Sequence, residues 1–145
     1  MSKPKKELDV RFKKFGVVPF TATTKVNDFI DYLEKGIVAG TKCKDCGTKY
    51  FPPKADCHRC LTSNMEWFEI KGTGKLITYS TLQYAPVGFE HDLPYTIALV
   101  DFGEYKVFGR ISKDIDLKEI KIGMELKVQA IKLPNEQLLY VFVKP

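Results

Sequence analysis

The chain has 145 residues, enough for one main hydrophobic core with a small appendage and too few for two full domains. Its composition is 44% hydrophobic and 12% aromatic, which excludes a disordered chain, because that much apolar surface can offset the entropy of ordering. The net charge of +5 does not describe a polyanion-binding surface: Lys3, Lys5, Lys6, Arg11, Lys13 and Lys14 face only Glu7 and Asp9, which places +4 of it in residues 1–14.

No apolar run approaches the roughly 20 residues that a membrane span needs, and Met1–Lys14 carries charge without the apolar stretch of a signal peptide. A cytoplasmic protein with no membrane partner is the expectation. All four cysteines fall between positions 43 and 60, and in a chain without an export signal such a cluster reads as metal ligands rather than disulfides. The basic N-terminus reads either as a solvated tail or as a partner-binding arm.

In chain order, residues 1–24 show no clear period of 2 or 3.6 and are expected to be mostly irregular. Residues 25–37 place Val26, Phe29, Ile30, Leu33 and Ile37 on one stripe of an amphipathic helix. Thr24 is suited to cap its start and Gly36 to end it. Two readings of the stripe stay open: it packs on the protein's own core, or it docks on a partner through Phe29 and Leu33.

Next come two matched knuckles, Cys43-x-x-Cys46-Gly47 and Cys57-x-x-Cys60. Each Cys-x-x-Cys turn aims two sulfurs at one point, and the intervening residues let the chain reverse and bring both pairs together around one zinc ion. Gly47 suits a positive φ, and Pro52-Pro53 stiffens the return. With four thiolates the tetrahedral shell is closed, so the metal is structural. His58 inside the second knuckle reads as an exposed spacer.

From Met65 onward the pattern is strands, at 65–70, 75–84, 95–102, 105–111, 125–133 and 138–143, rich in β-branched and aromatic residues and separated by turns. Lys71-Gly72-Thr73-Gly74-Lys75 lacks the spacing of a phosphate loop and reads as a glycine turn. Short antiparallel strands without intervening helices predict a small closed barrel, an OB-fold first, with an SH3-like barrel or open sandwich behind it. The layout is a mainly β protein: a tail and helix at 1–40, a rubredoxin-like zinc ribbon at 41–62 and an OB-fold domain at 63–145. No triad or acid pair stands out, so a catalytic role is not expected. His91, with Phe89, sits in the loop Tyr84–Leu93, where a rigid barrel would carry recognition.

With that order in place the sequence resembles the zinc-ribbon OB-fold family of acyl-CoA-associated proteins, long catalogued as having unknown function. The residues that carry the likeness are the amphipathic helix, the two knuckles, Phe51-Pro52-Pro53, the Gly72-x-Gly74 turn with Thr78-Tyr79-Ser80-Thr81, Pro94-Tyr95 and Ile122-Gly123-Met124. The resemblance implies a non-catalytic accessory subunit that binds acyl-CoA or coenzyme A and scaffolds a thiolase-like or related acyl-CoA enzyme. Phosphates need cations and pantetheine an apolar channel, so Lys71, Lys75, Phe89 and His91 are the expected acyl-CoA contacts. The competing class is a nucleic-acid-binding zinc-ribbon and OB-fold module, which the location of the positive charge disfavours.

Overall fold

A computed structural model describes residues 7–21 and 23–145. The charges of Lys3, Lys5 and Lys6 lie outside the described residues. Among the described residues, after a short 3₁₀ segment at Arg11–Lys14, one α-helix and eight strands follow: α1 (Asp28–Glu34), β1 (Ala39–Cys43), β2 (Lys49–Tyr50), β3 (Met65–Glu69), β4 (Gly74–Leu82), β5 (Tyr95–Asp101), β6 (Lys106–Ile111), β7 (Glu125–Lys132) and β8 (Leu138–Val143). Among the described residues no helix is long and apolar enough to cross a membrane.

The helix is shorter than its apolar period suggests. Thr24 does not cap it; its hydroxyl accepts the Val26 N–H at 3.4 Å, and the Asn27 side-chain amide donates back to the Thr24 carbonyl, which holds residues 24–27 as a turn. The end is as the sequence implies. Gly36, at φ 79°, lets Ile37 N–H return to the Tyr32 carbonyl at 2.8 Å while Gly36 N–H bonds Leu33 O at 3.0 Å, a Schellman closure.

The stripe on α1 is buried within the chain, which corrects the partner-docking reading of Phe29 and Leu33. Phe29 and Leu33 are only 2% and 3% exposed, in one core with Val38, Leu76, Leu126 and Phe142. Phe29 lies among the rings of Phe12, Phe15, Phe51 and Tyr140. A helix that packs on β1, β7 and β8 at once has no free apolar face to offer. Part of the basic N-terminus is likewise engaged. Arg11 pairs with Asp9, Asp28 and Asp31, and Lys14 with Glu34, so this segment is tied to α1.

Two sheets result. The first has the order β2-β1-β3, with Cys43 opposite Met65 and Ala39 opposite Glu69. Met65–Glu69, grouped with the barrel strands on sequence pattern, therefore belongs to the ribbon: the chain leaving the second knuckle runs back along β1. The second sheet closes into a five-stranded barrel, β4-β5-β6-β8-β7, as the OB-fold expectation requires. Its β6–β8 pairing is parallel and the rest antiparallel. Gly74 sits where β4 meets both β5 and β7; a Cβ there would lie 2.6 Å from Val100 Cγ1. On β5 and β6, Ala98, Val100, Val107 and Ile111 point inward, while Ile97 opposite Arg110, and Leu99 opposite Phe108, point outward.

Candidate functional site

The two knuckles are built alike. In the first, Gly47 N–H bonds Cys43 O at 2.9 Å and Cys43 N–H bonds Thr48 O at 2.9 Å; in the second, Leu61 N–H bonds Cys57 O at 3.0 Å and Cys57 N–H bonds Thr62 O at 2.9 Å. These turns bring all four sulfurs within 4.8 Å of one another. Zinc–sulfur bonds of about 2.3 Å in a tetrahedron need sulfurs about 3.8 Å apart, and Cys46 and Cys57 are at 3.7 Å. Donor type and spacing therefore fit zinc. The fit fills all four positions with thiolate, so the ion would cross-link β1 and the second knuckle rather than activate a water.

The cluster is half inside. Cys43 and Cys57 are buried, whereas Cys46 and Cys60 face solvent. Thr48 Oγ1, 3.1 Å from Cys46 Sγ, holds that thiol down at about 6. The Tyr50 hydroxyl, 3.2 Å from Cys57 Sγ, lowers the pKa of Cys57. Cys60, hydrogen-bonded to Cys46, is pushed up to about 12. Thiolate character is thus uneven before a metal arrives, and loading must remove the proton of Cys60. His58 is exposed, and its Nδ1 lies 2.9 Å from the Tyr50 hydroxyl. Sequence spacing gave no sign of Tyr50, which reaches Cys57 only because β2 folds onto β1.

A second feature lies on the outer face of β5 and β6. Residues 15–21 cross this face, fastened to β8 by Gly16 N–H on Leu138 O at 2.8 Å. They meet the loop before β5: the Phe20 and Phe89 rings stack at 6.0 Å, and a Cβ on Gly88 would lie 2.7 Å from Val18 Cγ2. Between them is a cleft of about 330 Å³ whose lining includes Phe15, Val18, Phe89, Ile97, Phe108 and Arg110. Arg110, absent from the sequence expectations, pairs with Asp92 and stacks on Tyr95 at 4.5 Å. Lys113 holds the same Asp92 at 3.2 Å, so the loop is pinned to β6.

Of the four expected acyl-CoA contacts, only Phe89 lines this cleft. His91 is exposed in the 3₁₀ turn Glu90–Asp92. Lys71 is exposed beside Glu69 at 3.6 Å. Lys75 stands between Asp101 and Glu125, at the opposite end of the β4–β5 ladder from Leu82 and Tyr95. Seven residues of strand put it roughly 20 Å from the loop. The structure does not bring these four residues together.

Comparison with known proteins follows the same division. The chain is 35% identical over 96 residues to a DUF35 domain-containing scaffold protein of Methanocaldococcus jannaschii, covering 65% of this chain and 67% of that one. It is 36% identical over 102 residues to one of Pyrococcus furiosus, covering 70% and 74%. The chain belongs to the DUF35 family. Family models of ChsH2 match this DUF35 chain in two parts, a rubredoxin-like zinc ribbon domain at residues 31–66 and a C-terminal OB-fold domain at 67–130. Among solved structures, the DUF35 chain is similar to a chain of an Ltp2-ChsH2(DUF35) aldolase, with a TM-score of 0.69, 26% identity, and 84% and 96% of the two chains covered. A DUF35 protein of unknown function from Sulfolobus solfataricus, at TM-score 0.53 and 22% identity over 75% and 81% of the chains, shares the fold.

Proposed function

We propose that this DUF35 chain is a non-catalytic scaffold subunit for a thiolase-like or related acyl-CoA enzyme, and that the cleft over β5 and β6 receives the acyl-pantetheine part of acyl-CoA. The cleft carries the reading: it is lined mainly by apolar side chains and has Arg110 in its wall. Arg110 and Lys113, both held on Asp92, replace Lys71 and Lys75 as cations for the phosphates. Phe20 and Phe108 on the cleft, and Tyr84 and Val87 on its loop, are large apolar side chains left exposed, suited to a partner's surface. This surface takes the role first given to Phe29 and Leu33. Relatives named as scaffold proteins, and a structural neighbour that is part of an aldolase complex, support the same reading.

Calorimetry with acetyl-CoA, on the chain alone and on the complex purified from its native cell, tests it. Binding is expected in the complex, and Ile97→Trp, which fills the cleft, should abolish it while the barrel melts normally. No heat in either state, with partner activity unaffected, refutes the acyl-CoA reading. Tight, salt-resistant binding of single-stranded nucleic acid would put the competing module in its place.

A further inference from the structure

Tyr50 is the neighbour of the sulfur cluster whose polar group is both buried and aimed at a ligand atom. Its side chain is only 6% exposed, and its hydroxyl lies 3.2 Å from Cys57 Sγ and 2.9 Å from His58 Nδ1. The ring is also held by contacts other than its bond to the sulfur. Tyr50 pairs with Thr41 across the β1–β2 ladder, Lys54 Nζ sits 4.9 Å from its centroid, and the His58 ring meets it edge-on at 5.4 Å. A hydroxyl held this way has one proton to give and two neighbours to serve.

Which neighbour receives the proton depends on the sulfur. A protonated Cys57 can donate to Tyr50, whose own proton then goes to His58 Nδ1. A metal-bound Cys57 is a thiolate and can only accept, so the order must run from His58 Nδ1–H to the Tyr50 oxygen, and from Tyr50 O–H to Cys57 Sγ. We propose that Tyr50, backed by His58, is a positioning residue of the metal centre: its buried hydrogen bond to the Cys57 thiolate determines how tightly the ribbon holds zinc. Four thiolates around a divalent ion carry net negative charge, and a donor on one sulfur offsets part of it. The first knuckle supplies an internal comparison. Thr48 Oγ1 makes the equivalent contact to Cys46 at 3.1 Å, but in solvent, where water can take its place. Water cannot reach the Tyr50 bond so readily, and burial makes its loss the costlier one.

The test is competition of the zinc-loaded protein against a chelator. Outer hydrogen bonds of this kind are worth about 10- to 100-fold in metal affinity. Tyr50→Phe, which keeps the packing, should therefore lose zinc affinity by about 10-fold or more, and Thr48→Val by less, because water can replace its exposed contact. His58→Asn retains a donor and should stay near wild type, whereas His58→Leu should fall toward Tyr50→Phe. A second readout separates a lost hydrogen bond from loosened packing: with cobalt(II) in the site, the thiolate-to-metal charge-transfer bands should move to lower energy in Tyr50→Phe. Zinc affinity in Tyr50→Phe equal to that in Thr48→Val, or unmoved cobalt bands, would overturn the proposal.

Discussion

Leu61 stands in the second knuckle where Gly47 stands in the first: each donates its N–H to the carbonyl of the leading cysteine, and each has a positive φ, 55° and 76°. For a leucine the left-handed region costs about 1–2 kcal/mol, of which glycine's greater freedom when unfolded cancels part. Leu61 is also 88% exposed, so its side chain contributes little packing. Leu61→Gly should stabilise the ribbon by about 0.5–1 kcal/mol, read as slower hydrogen exchange in residues 39–69. Faster exchange would show that Leu61 makes contacts that outweigh the strain.

Protein purified without added metal should contain about one zinc per chain, and Cys46→Ser should loosen the ribbon while leaving the barrel folded. The reason is the separation of the two cores: Cys43, Tyr50 and Cys57 form a small cluster of their own, apart from the barrel residues. Elemental analysis checks the metal, and limited proteolysis with barrel amide protection checks the rest. Loss of barrel protection would mean that the ribbon nucleates the whole chain.

Phe29→Ala and Leu33→Ala should each destabilise the isolated chain, by about 3–5 and 2–5 kcal/mol, because both side chains are fully packed. Thermal melting measures this directly. A double Asp variant that melts like wild type but loses a partner would restore the docking reading.

Zinc affinity should rise with pH. Cys60, pushed up to about 12, keeps its proton at neutral pH and must release it on loading, so uptake is opposed by acid. Below about 6 Cys46 also becomes a thiol, and the dependence should steepen there. Chelator competition between about pH 5 and 8 follows it; a flat profile would mean that the cysteines are already fully ionised.

Much of this molecule is legible one segment at a time. The Cys-x-x-Cys spacing dictates a knuckle wherever it occurs, and Gly36 ends α1 because only a residue at ease with positive φ closes it that way. These features depend on covalent geometry and short-range hydrogen bonds, so a window of a few residues contains them. Strand composition alone marks β5 and β6, but not their faces: Thr96, Ala98 and Val100 point inward while the larger Ile97 and Leu99 point outward. Pairing across long separations was not legible. Met65–Glu69 has the composition of a strand for either sheet, and only β1 beside it assigns it to the ribbon. The stripe on α1 had the right period, but period does not say whether it faces a partner or Phe142. The cleft needs residues 15–21, the Phe89 loop and two strands at once, and the Tyr50 contact needs β2 turned onto the second knuckle. The sequence alone therefore determined which local shapes the chain makes and which metal they suit. The closure of the barrel and ribbon decided which side chains from distant segments share one site, because that depends on chain reversal rather than on neighbours in sequence.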